Sequence, residues 1–138
     1  MADRVRKVSY THMSVPNRAG NGAEILASLR DANVNLLAFH AFPGKPRMTQ
    51  VDIVPQSMPA LRGFARKNGW KLSSLKKGFL VTGEDQVGAA ERHFARLAEA
   101  RINVTANSAV AAGKGRYGMI LWVKPKDYAR AAKVLKAR

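Results

Sequence analysis

The chain has 138 residues, 46% hydrophobic and 24% charged, enough apolar side chain to bury a core in one domain or in two tightly joined halves. It contains no cysteine, which excludes disulfides and thiolate metal sites and makes the cytoplasm the default setting. No apolar run approaches the roughly 20 residues of a membrane helix, and Met1-Ala2-Asp3-Arg4 opens toward a strand instead of an apolar signal stretch.

Taken in chain order, Val8 to Val15 mixes β-branched and aromatic residues as a strand does and is closed by Pro16. Asn17 to Gly22 is a turn-rich loop. Ile25, Leu26, Leu29 and Ala32 then recur at helical spacing, which predicts an amphipathic helix capped by Asn21. Leu36 to Phe42 reads as a second strand, Pro43-Gly44-Lys45-Pro46 as a turn, and Met48 to Val54 as a third strand. Ser57 before Pro59 opens another helix, with Met58, Leu61, Phe64 and Ala65 inward and Gly69 as its stop; Trp70 to Leu75 reads as a fourth strand.

The same order follows once more. Phe79 to Thr82 reads as a strand, Asp85 to Gly88 as a loop, and Ala90, Phe94, Leu97 and Ala98 as the buried stripe of a helix. Thr105 to Ala111 and Tyr117 to Val123 form a hairpin about Gly113-Lys114-Gly115. Asp127 then caps a last helix carrying Tyr128, Ala131, Ala132 and Leu135 inward. Nothing after that helix matches Trp70 to Leu75, so the second copy lacks its fourth strand, and one sheet edge needs other cover.

The order is a duplication in the residues themselves. Asp31-Ala32-Asn33-Val34-Asn35 returns 68 positions later as Glu99-Ala100-Arg101-Ile102-Asn103, and Gly20 returns as Gly88 at the same offset. Val51 to Pro55 meets Leu121 to Pro125 at an offset of 70, two residues having been added at a hairpin tip. The expected architecture is therefore α+β: two ferredoxin-like βαββαβ repeats, residues 1–75 and 76–138, each an antiparallel sheet with helices on one face.

The stretch Val15-Pro16-Asn17-Arg18-Ala19-Gly20, followed by an apolar helix and Ala32-Asn33-Val34-Asn35-Leu36, resembles the opening of an ACT domain, the ligand-sensing module of many enzymes and regulators of amino-acid metabolism. The resemblance spans nearly the whole chain as a tandem pair. It implies a regulatory, non-catalytic protein that binds an amino acid or similar small carboxylate where ACT units meet side by side, and a homodimer. Carried over by position, the ligand residues it implies are Asn17, Arg18, Ala19, Gly20 and Asn35 in the first copy and Asp85, Gln86, Val87, Gly88 and Asn103 in the second. A glycine at a helix N-terminus lets backbone N–H groups and the helix dipole meet a carboxylate, and an asparagine amide both donates and accepts. Asn17 stands where the family usually has an acidic residue, and neither glycine follows a proline. The other reading of these residues is purely local: glycines that relieve a tight turn and asparagines that close a helix.

No phosphate-binding loop, dinucleotide fingerprint, nucleophile motif or thiol is present, so no catalytic residue and no cofactor is expected. His12, His40 and Asp52 are the one set to test as a metal site, and they need to share a strand face; His93 lies on a predicted helix without an evident partner. The formal charge of +15 supports an alternative, a basic ferredoxin-like nucleic-acid-binding protein, because cations that neutralise phosphates release counterions. Lys77-Gly78-Phe79-Leu80-Val81 faintly echoes the base-stacking motif of RNA-binding versions of the fold, but Gly83 stands at the later aromatic position. Aromatics on an open sheet face beside the cations would favour that alternative; a covered face would favour the sensor.

Overall fold

A computed structural model of the chain describes residues 3–138. Its order is β1 (Arg4–Pro16), α1 (Asn21–Asp31), β2 (Leu36–Pro43), β3 (Met48–Pro55), α2 (Met58–Asn68), β4 (Lys76–Glu84), α3 (Glu91–Glu99), β5 (Val104–Gly113), β6 (Arg116–Val123) and α4 (Tyr128–Leu135), with a short 3-10 turn at Pro125–Asp127. This is an α+β protein of two ferredoxin-like repeats. They form two compact units, Ser9–Lys76 and a second made of residues 3–8 with Lys77–Arg138. By compactness, the opening residues 3–8 group with the second repeat.

In the first-repeat unit the strands lie in the order β2-β3-β1, with Met13 opposite Val51 and Thr11 opposite Ile53. Met13, Val51 and Ile53 pack with Ile25 and Leu29 of α1 and Leu61 of α2, so both helices cover one sheet face. Ser57 is the N-cap of α2 and accepts a hydrogen bond from the Ala60 amide at 3.3 Å, and Gly69 ends the helix at φ 70°. Asn21 does not cap α1. The capping position is Gly20, at φ 94°, and Asn21 begins the helix while its side chain turns back to the Pro16 carbonyl at 2.5 Å.

Trp70 to Leu75 is not a strand. It nonetheless runs beside β1, since the Ser73 amide donates to the His12 carbonyl at 2.8 Å and Ser73 Oγ accepts the His12 amide at 3.0 Å. A side-chain oxygen thereby replaces the carbonyl a ladder would use, and the regular pattern is lost.

The second-repeat unit has the order β1-β4-β6-β5. Its missing fourth strand is supplied by the start of β1, whose Val5 joins Phe79, Val81, Leu97, Leu121, Ala131 and Leu135 in one core. Arg138 adds to this edge by donating to the Val5 carbonyl and accepting from the Lys7 amide, at 3.1 and 3.0 Å. Asp127 precedes α4, but its carboxylate takes Arg130 at 3.0 Å instead of a helix amide.

The duplication is visible in the backbone. Asn33 and Arg101 both stand at φ 58°, and each helix closes with a bond reaching back five residues, Val34 to Leu29 and Ile102 to Leu97, both at 2.9 Å. That is the Schellman closure of a helix. Asn33, not Asn35, takes the left-handed cap.

Candidate ligand clefts at the helix N-termini

The loop after β1 is held by its own backbone. The Asn17 amide donates to the Arg47 carbonyl at 2.8 Å, the Asn21 amide to the Arg18 carbonyl at 3.2 Å, and the Glu24 amide to the Gly20 carbonyl at 3.0 Å. No side chain caps α1, and Glu24 is the acidic residue of its first turn. Beside it opens a cleft of about 420 Å³, lined among others by Val15, Arg18, Asn21, Glu24, Ser28, Trp70 and Lys71. Arg18 spans its rim, donating to Asn21 Oδ1 at 2.7 Å and lying 3.7 Å from the Glu24 carboxylate. Trp70 is fixed by edge contact with Phe64, centroids 4.9 Å apart. The cleft thus offers two cations, one carboxylate and an aromatic wall.

Asn35 is elsewhere. Its amide donates to Gln56 Oε1 at 3.1 Å and its carbonyl accepts from the Gln56 amide at 2.8 Å, and it lines a separate cleft of about 320 Å³ with Leu26, Arg30 and Asn33. At about 1.5 Å per residue, α1 separates the Gly20 loop from Asn35 by roughly 16 Å. Arg18 therefore faces the first cleft, and Asn35 does not.

In the second repeat, Asp85, Gln86 and Gly88 line a shallower cleft of about 310 Å³ with Val110 and Tyr117. Val87 projects fully into solvent, and Asn103 is exposed beyond the far end of α3.

Next to that cleft lies a buried cluster that inspection of the sequence did not reveal. The Asp3 carboxylate, only 2% exposed, receives the Tyr117 hydroxyl, meets His93 Nε2 at 2.7 Å, and lies 2.6 Å from Arg92 Nη2 at an angle that makes the last contact an ion pair. Burial alone would raise the Asp3 pKa; Arg92, Tyr117 and His93 outweigh it and hold it down at about 2. Burial, then the bond to Asp3, pushes Tyr117 up to about 12. His93 takes the inward position on α3 that the helical pattern assigned to Phe94 and Ala98; Phe94 is half-buried and Ala98 exposed.

His12, Asp52 and His40 do share a face, since His12 and His40 both pair directly with Asp52. Asp52 is buried and accepts from Gln50 Nε2 at 3.0 Å. Among the described residues no group of three such side chains converges closely enough to hold a metal ion. Tyr117 and Trp122 are each 6% exposed, so neither offers a face on which a base could stack. Among the described residues no helix is long and apolar enough to cross a membrane.

No protein-family profile matches the sequence, and no curated protein matches it. Solved structures do resemble it. Protein BT0572 from Bacteroides thetaiotaomicron aligns over 97% of this chain and 88% of its own, at TM-score 0.77 and 14% identity. The ligand-free regulatory subunit of aspartate kinase from Thermus thermophilus aligns over 98% and 93%, at TM-score 0.60 and 13% identity. The structure of aspartokinase alpha and beta subunits gives 98% and 95%, at 0.57 and 20%. At such identities the likeness is one of fold: the chain shares the fold of the aspartate kinase regulatory subunit over nearly its whole length.

Proposed function

We propose that the protein is a regulatory, non-catalytic module that binds an amino acid or similar small carboxylate in the cleft beside the N-terminus of α1. The observation that carries this reading is the charge arrangement of that cleft. Arg18, Lys71 and the uncapped helix end suit a carboxylate, Glu24, 3.7 Å from Arg18, suits an ammonium group, and Trp70 supplies an apolar wall for a side chain. The fold shared with a protein named as the regulatory subunit of aspartate kinase supports the regulatory part of the reading. Ligand binding would act by population shift, stabilising whichever packing of the chain presents the bound cleft to its partner.

The test is a thermal-shift screen against the twenty amino acids and small metabolic carboxylates, with a short RNA and a short DNA as comparison. A ligand at about 100 times its Kd adds about 2.7 kcal/mol of stability. A response to one amino acid or carboxylate that Arg18→Ala removes supports the assignment. A response equal in wild type and Arg18→Ala refutes the cleft, and a salt-sensitive response to the oligonucleotides alone refutes the ligand class.

A further inference from the structure

The two repeats use the same place differently. Val15, Glu24 and Ile25 line the open first-repeat cleft, and the residues 68 positions on are Gly83, Arg92 and His93. Those three surround the Asp3 carboxylate. The chain segment that leads into the outermost strand position contributes in both units: Trp70 and Lys71, just before Ser73 bonds β1, line the first cleft, and Asp3, just before β1 begins, fills the second. Where the first repeat has an open cleft, the second has a carboxylate already bound.

The surroundings of that carboxylate are those of a binding site. A guanidinium, an imidazole and a phenol converge on its two oxygens, the donor set that recognises a free carboxylate. Gly83 makes the space: a Cβ there would overlap Asp3 Oδ1 and come within 2.9 Å of the Tyr117 ring. His93 Nδ1 is buried without a hydrogen-bond partner, so the ring has donor or acceptor capacity beyond what Asp3 uses.

We propose that the second repeat contains a carboxylate-binding site which the chain occupies with its own Asp3, a built-in ligand that a free small carboxylate can replace once the Asp3 side chain is gone. The site stands on contacts within its own unit and does not depend on what binds beside α1. In the intact chain Asp3 fills the part of the second repeat that corresponds to Val15, Glu24 and Ile25, and the shallower cleft over Gln86 and Ala89 stays open beside it.

The experiment is chemical rescue. Asp3→Ala removes a COO⁻ group that formate can replace. The variant is expected to melt below wild type and to regain stability, saturably, with sodium formate but not with sodium chloride at equal ionic strength. Wild type should show a smaller difference or none, and Asp3→Ala with Arg92→Ala should lose the rescue. A formate response no larger in Asp3→Ala than in wild type overturns the proposal. If Asp3→Ala does not fold, Asp3→Asn keeps the shape and removes the charge; it should be less stable than wild type at neutral pH, and equal stability overturns the proposal.

Discussion

At the scale of residues, the buried acid of the second repeat governs how the protein responds to acid. A carboxyl group held at about 2 instead of its ordinary 3.8 contributes stability that is fully present above about pH 4 and lost as pH falls toward 2. Tyr117, raised from 10.0 to about 12, contributes stability present below pH 10 and lost as pH rises through 12. Acid unfolding followed by circular dichroism should therefore begin near pH 4 in wild type, with a shallower acid limb in Asp3→Ala. Identical limbs would show that Asp3 does not titrate as its contacts require. None of this is legible in the sequence, because Asp3 and His93 lie 90 positions apart and only the fold joins them. His93 four residues before Leu97 places an imidazole on the apolar stripe of α3, but the stripe alone names no partner. Ser57 and Gly69 were legible for the opposite reason, since a cap and a stop act on their own helix.

At the scale of elements, the informative departure is β1. The sequence pattern of Val8 to Val15 marks only the part that serves the first repeat, and β1 extends back to Arg4 because the second repeat needs an edge strand. Arg4-Val5-Arg6-Lys7, with one apolar residue among three cations, is a weak strand signal, and what makes it a strand is the core that receives Val5. Trp70 to Leu75 fails as a strand for a related reason: Ser73 satisfies the β1 backbone with its hydroxyl, a choice no propensity encodes. Val5→Ala should cost about 2 kcal/mol, as the loss of two buried methyl groups does. In hydrogen exchange, protection should fall first in β4 and β6 while β2 and β3 keep theirs. A loss confined to β2 and β3 would contradict the assignment of Val5 to the second-repeat core.

At the scale of the whole molecule, the repeat was the readable feature, and paired left-handed residues at Asn33 and Arg101 and at Gly20 and Gly88 are its backbone record. What the repeat could not disclose is that its two copies diverge at corresponding places, Glu24 lining an open cleft of mixed charge in one and Arg92 paired with the chain's own buried carboxylate in the other. Motif residues alone marked both Gly20 and Asn35 as ligand positions, yet the length of α1 sets them at opposite ends of one helix. The net charge of +15 likewise names no partner; of the sheet aromatics Tyr117, Trp122, Phe39 and Phe42, the first two are buried and offer no face to a base, while Phe42 is 37% exposed. The central claim is ligand binding beside α1. Amide chemical-shift mapping by NMR, on titration with the amino acid or carboxylate that stabilises the protein, tests it most directly. The account predicts saturable shifts centred on Arg18, Asn21, Glu24 and Lys71 and on the Trp70 indole. Shifts absent there and centred instead on Asn35 and Gln56, or on the second repeat, would contradict it.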